Sequence, residues 1–100
     1  MVKHIVLWKL KDSANGMNKA ENALAIKHKL ESLKGKIEGL IEIEVGIDFL
    51  QSPESGDIML YSLFNDKQAL DHYQQHPLHK EIMPFIAEAR SERRVVDYEV

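Results

Sequence analysis

The segment "LIEIEVGIDFLQSPESGDIMLYSLF", residues 40–64, decides the fold. In its first part Ile41, Ile43, Val45, Ile47 and Phe49 alternate with Glu42, Glu44, Gly46 and Asp48. A period of two places the apolar set on one face of a strand. "QSPESG" then supplies the proline, serines and glycine of a hairpin loop. "DIMLYSLF" is a further strand with apolar residues on both faces, so both faces are expected to be covered.

The flanks of this hairpin follow other periods. Upstream, Ala23, Ile26, Leu30, Leu33 and Ile37 recur at steps of three and four. That spacing predicts an amphipathic helix from about Asn18 to Lys36, ended by Gly35 and Gly39. The opening "VKHIVLWKL" is a strand: Val2, His4, Val6, Trp8 and Leu10 share one face, and Lys3, Ile5, Leu7 and Lys9 the other. Asn15-Gly16 marks a turn after it. Downstream, "NDKQALDHY" starts a second helix, with Asn65 and Gln68 spaced as a capping box. Pro77 breaks or restarts that helix, and Pro84 is a second candidate kink. "RRVVDYEV" closes the chain as a strand.

The expected order is β-α-β-β-α-β over a single domain, residues 1–100. This is the ferredoxin-like α+β arrangement, an antiparallel sheet with helices on one face. The first and third strands carry large apolar residues on the uncovered face too, Ile5 and Leu7 opposite Val6 and Trp8, and Met59 and Tyr61 opposite Ile58 and Leu60. Two such sheets packed face to face in a homodimer, roughly 10 Å apart, would cover them.

The 100 residues are 44% hydrophobic and 29% charged, with net charge −3, so nucleic-acid binding is not expected. The absence of cysteine excludes thiolate catalysis, disulfides and cysteine metal sites. No apolar run approaches the ~20 residues of a membrane span, and the start does not read as a secretion signal. No membrane partner is expected, and the expected location is cytoplasmic. No metal and no cofactor are expected: the five histidines form no HExxH motif, and the glycines form no phosphate loop.

"VKHIVLWKLKD", "GLIEIEVGID", "YQQHPLHKEI" and the closing "VVDYE" together resemble the stress-responsive A/B barrel (Dabb) family of dimeric α+β barrel proteins. The most specific parts are the early Val-Lys-His strand and the Tyr-x-x-His-Pro-x-His segment. The resemblance implies a ferredoxin-like protomer that dimerises into a barrel, with a function mostly undefined. One plant branch is a polyketide cyclase of the olivetolic acid type. That likeness implies catalytic roles at His79 and Tyr73, and a pocket lined by His4, Val6, Trp8, Ile26, Leu30, Leu60 and Ile82. The chain departs from that cyclase at Trp8, Ile26 and Leu30, and Arg90 stands where the cyclase has tryptophan. The pocket is therefore expected to differ in shape, and the substrate does not carry over. Some relatives hold Mg²⁺ on main-chain carbonyls, at positions matching Lys34, Ile37 and Leu40.

His79 titrates near neutrality and suits a general base, while the Tyr73 phenol suits an oxyanion donor. A spacing of six residues rises about 9 Å along a straight helix, so Pro77 would have to bring the pair together. The alternatives are structural. His79 serves equally as a helix-end residue, Tyr73 and Trp8 as core, and His4 as a buried hydrogen-bonded histidine. His76 reads as a turn residue, and His28 and His72 as exposed. The residues thus support a small-molecule pocket with cyclase-like acid–base chemistry, a non-catalytic dimeric stress-protection module, or, more weakly, a monooxygenase-like barrel. Whether the protein is an enzyme stays open.

Overall fold

The computed structural model describes residues 1–100. Its elements run β1 (Val2–Leu10), β2 (Ser13–Ala14), β3 (Met17–Asn18), α1 (Lys19–Glu31), β4 (Leu40–Ile47), β5 (Ile58–Phe64), α2 (Lys67–Gln75), α3 (Pro77–Ala89) and β6 (Arg90–Glu99). The four long strands form one sheet in the order β4-β5-β1-β6, every neighbouring pair antiparallel. The expected β-α-β-β-α-β frame is present, with its second helix in two pieces. No helix is long and apolar enough to cross a membrane.

The alternation in β1 predicts its burial directly. Val2, His4, Val6, Trp8 and Leu10 are buried beneath the helices, together with Ile58, Leu60, Ser62 and Phe64 of β5. Ala23, Ile26 and Leu30 of α1, Leu70 and Tyr73 of α2, and Ile82, Ile86 and Ala89 of α3 close this core. Lys27 and Glu31 protect the outer edge of β4. Lys27 Nζ donates to the Val45 carbonyl at 2.6 Å, and the Val45 N–H donates to Glu31 at 2.9 Å. An edge strand so occupied offers fewer free backbone groups to another chain.

Several local expectations are corrected. The α-helix ends at Glu31, and tight turns carry the chain on. Leu33 and Ile37 are buried all the same. The cap of α2 is Asp66, whose carboxylate accepts from the Ala69 N–H at 2.8 Å; Asn65 and Gln68 form no capping box. A capping box does occur at α1, between Asn18 and Glu21. The β4 alternation is interrupted by an irregularity between Leu40 and Glu42, so Ile41 is exposed rather than packed. Ile47 and Phe49 are exposed as well. The Asn15-Gly16 turn closes a small hairpin, β2–β3, with φ of 55° and 72° at its two central residues. The buried Asn22 fixes that hairpin to α1 by donating to the Ala14 carbonyl at 2.8 Å. Pro84 lies inside α3 without ending it.

The face away from the helices is open. It presents Leu7, Met59, Val96 and Tyr98 to solvent beside the half-buried Ile5, Tyr61 and Leu63.

Candidate functional site

Pro77 shapes the site. α2 stops at Gln75, His76 takes an extended conformation (φ −66°, ψ 136°), and α3 restarts with Pro77 at its first position. Proline is suited to that position, because the N–H it lacks would have no partner there. His76 caps the new helix: its Nδ1 accepts from the Leu78 N–H at 3.1 Å. The expected turn residue is therefore a cap. With the helix broken, the Tyr73 and His79 rings lie 4.4 Å apart between centroids, tilted at 56°.

α3 packs chiefly against α1 and α2. Between it and the β1–β6 side of the sheet lies a cavity of about 200 Å³. Its apolar wall is Val6, Trp8, Leu30, Leu60, Met83, Ile86 and Ala87, and its polar groups are His4, Tyr73, Gln74, His79, Arg90 and Arg93. The sequence candidates His4, Val6, Trp8, Leu30, Leu60, Tyr73 and His79 thus meet around one space. Ile26 and Ile82 do not line it. Both belong to the packed core, Ile26 completely buried. Trp8 forms one wall and leaves the space beside it open.

Two of the lining residues each carry a fully buried polar atom with no hydrogen-bond partner, the Tyr73 hydroxyl and His79 Nδ1. Such orphans are uncommon in folded proteins and costly where they occur. Burial holds the Tyr73 phenol well above its usual pKa, so it remains a protonated donor. Burial also lowers the His79 imidazole below its usual 6.5, partly offset by the Gln74 backbone; the nearby His4, Arg93 and His76 lower it further. At neutral pH the ring is uncharged and has a lone pair with which to accept a proton.

His4 is held differently. Its Nδ1 pairs with the carboxylate of Asp97, directly across the strand pair in β6. The Phe64 ring packs 5.0 Å from Tyr73 and 6.4 Å from His4, fixing both edges of the cluster. His28 and His72 are exposed and stand outside the cavity.

The sequence reading noted Arg90 only as a departure that alters the pocket, and assigned no role to Gln74, Met83, Ile86, Ala87 or Arg93. A signal for most of them exists. From His79, steps of three and four along α3 reach Met83, Ile86 and Ala87, and the next step falls on Arg90, the residue that ends the helix. Arg93 shares a strand face with Asp97, but only the pairing of β6 with β1 brings that face to the cavity. No group of three or more His, Cys, Asp or Glu side chains is arranged to hold a metal ion.

Comparison with known proteins accords with this architecture. The chain is similar to an uncharacterized protein of Streptomyces coelicolor, 33% identical over 81 residues that make up 80% of each chain. A dimeric ferredoxin-like protein of unknown function from Bacteroides fragilis superimposes with a TM-score of 0.86 at 36% identity, over 99% of this chain and 95% of that one. A dimeric ferredoxin-like protein of unknown function from Jannaschia gives 0.75 at 28% identity, over 99% and 98% of the two chains. The model of the stress-responsive A/B barrel domain matches residues 2–100, and the chain belongs to that family.

Proposed function

We propose that this protein binds a small organic molecule in the cavity between α3 and the sheet, and that His79 and Tyr73 perform cyclase-like acid–base chemistry on it. The observation that carries this reading is the pair of unpartnered buried atoms, Tyr73 Oη and His79 Nδ1, on two residues that line one space. A ligand oxygen placed there would satisfy the phenol and hold a proton within reach of the imidazole.

The chemistry suits ring closure of a β-dicarbonyl chain. His79 takes a proton from the carbon between two carbonyls. The resulting carbanion attacks a further carbonyl carbon of the same chain, forming a C–C bond and an alkoxide. The Tyr73 O–H donates to that oxyanion, and the proton held by His79 returns to it. The closure is an isomerisation and needs no redox partner.

The protein acts as a homodimer in this proposal. Support comes from the open apolar face of the sheet and from the dimeric state given for its Bacteroides fragilis and Jannaschia relatives.

The test is an NMR titration of the wild type and of His79→Ala with β-keto thioesters and phenolic acids. Saturable shifts at His4, Tyr73 and His79 that disappear in the variant are expected. A variant that merely melts earlier, with no saturable shift in either protein, would identify a non-catalytic structural module instead.

A further inference from the structure

Arg90 and Arg93 bring two guanidinium groups to the cavity, and no Asp or Glu lines it. Neither arginine has an acidic side chain within ion-pair distance; the nearby Glu92 pairs with Arg94, on the opposite face of β6. The acids on the same face of β6 are both engaged, Asp97 by His4 and Glu99 by Lys67. The polar end of the cavity therefore carries uncompensated positive charge, while Trp8, Met83 and Ile86 make its floor apolar. Two further lining residues, Tyr73 and His79, carry the unpartnered hydroxyl and Nδ1.

From this arrangement we infer that the ligand is a small organic carboxylate, seated with its anionic end on Arg90 and Arg93 and its apolar body against Trp8, Met83 and Ile86. This rests on the cavity being a ligand site, and it adds the ligand's charge class. The guanidinium fork matches a carboxylate in plane and spacing, and two unpaired forks at one mouth select for an anion over a neutral isostere. Size limits the body. About 200 Å³ is the room of roughly seven waters at ~30 Å³ each, which suits a single ring with a short acid arm.

Trp8 is the sole tryptophan and lines the cavity, so its fluorescence reports occupancy. The probes are 3-phenylpropanoate and its neutral amide, titrated to their solubility limits. The proteins are wild type, Arg90→Gln, Arg93→Gln, the double variant, and Arg94→Gln as the control on the opposite face. Both cavity arginines are exposed, so these variants retain the packed core. The carboxylate is expected to bind about tenfold more tightly than the amide. Each single cavity variant should weaken it by about fivefold to tenfold, and Arg94→Gln should leave it unchanged. Equal affinity for acid and amide, unaltered in the double variant, would overturn the charge assignment while leaving a neutral-ligand site. No saturable response to either probe would overturn the ligand site itself.

Discussion

Tyr73→Phe should stabilise the protein while weakening its site. The Tyr73 ring is fully buried and packs at 5.0 Å on Phe64 and 4.4 Å on His79, contacts that phenylalanine would keep. Only the hydroxyl is lost, and it has no hydrogen-bond partner. A buried polar group left unpaired costs about 1–3 kcal/mol. Tyr73 is one of the residues around a cavity of about 200 Å³, and the freedom to relax toward that space places the cost near the lower end, about 1 kcal/mol. For a domain of this size, 1 kcal/mol corresponds to a rise in Tm of about 4–8 °C. The assay is thermal unfolding by circular dichroism at matched protomer concentration, since association also raises Tm. The same variant should lose the ligand-dependent rise in Tm, because the donor is gone. A fall of several degrees in the unliganded variant would refute the reasoning. It would mean that the hydroxyl makes a structural hydrogen bond and is not held in reserve for a ligand.

Other perturbations test the remaining parts of the account. Stability should fall with acid through His79: the unfolded ring takes a proton near pH 6.5, the buried ring only at lower pH, so stability intact above 6.5 is lost as pH drops through the folded value. His79→Gln should flatten the Tm profile below pH 6.5, with His4–Asp97 left in place. Gly39→Ala should cost about 2–3 kcal/mol in urea unfolding, since φ is +87° and a Cβ would lie 2.6 Å from Ala69 Cβ. Gly35→Ala shares the positive φ but meets open space, and should cost about 1 kcal/mol; equal losses would contradict the steric argument. Met59→Asp, in the open face of the sheet, should yield a folded monomer by sedimentation, and an unchanged dimer would place the interface elsewhere.

The agreement between sequence and structure follows the range of the forces involved. Strand alternation in β1 and helical spacing in α1 are legible because side-chain direction repeats over a few residues. Pro77 is legible because its effect on the helix is covalent and local. The faulty expectations concern competition among neighbours. Asn65 and Asp66 are both good caps, and the choice fell to Asp66 while the Asn65 N–H bonds to the Gly39 carbonyl across the fold. Ile26 and Ile82 share the apolar character of the true wall residues, so only packing separates core from cavity.

By itself the sequence determined the order of strands and helices, the helix break, and the Tyr73–His79 pair as the candidates for proton chemistry. The first two rest on periodicity and on one residue's backbone constraint, and the pair rests on the resemblance of its segment to the cyclase branch together with the chemistry of imidazole and phenol. The tertiary structure alone decided that α3 stands off the sheet, that Asp97 meets His4, and that Arg93 comes opposite Trp8. Those contacts join opposite ends of the chain. A slip of one residue in that pairing would turn Asp97 away from His4 and Arg93 away from the cavity, because side chains alternate along β6.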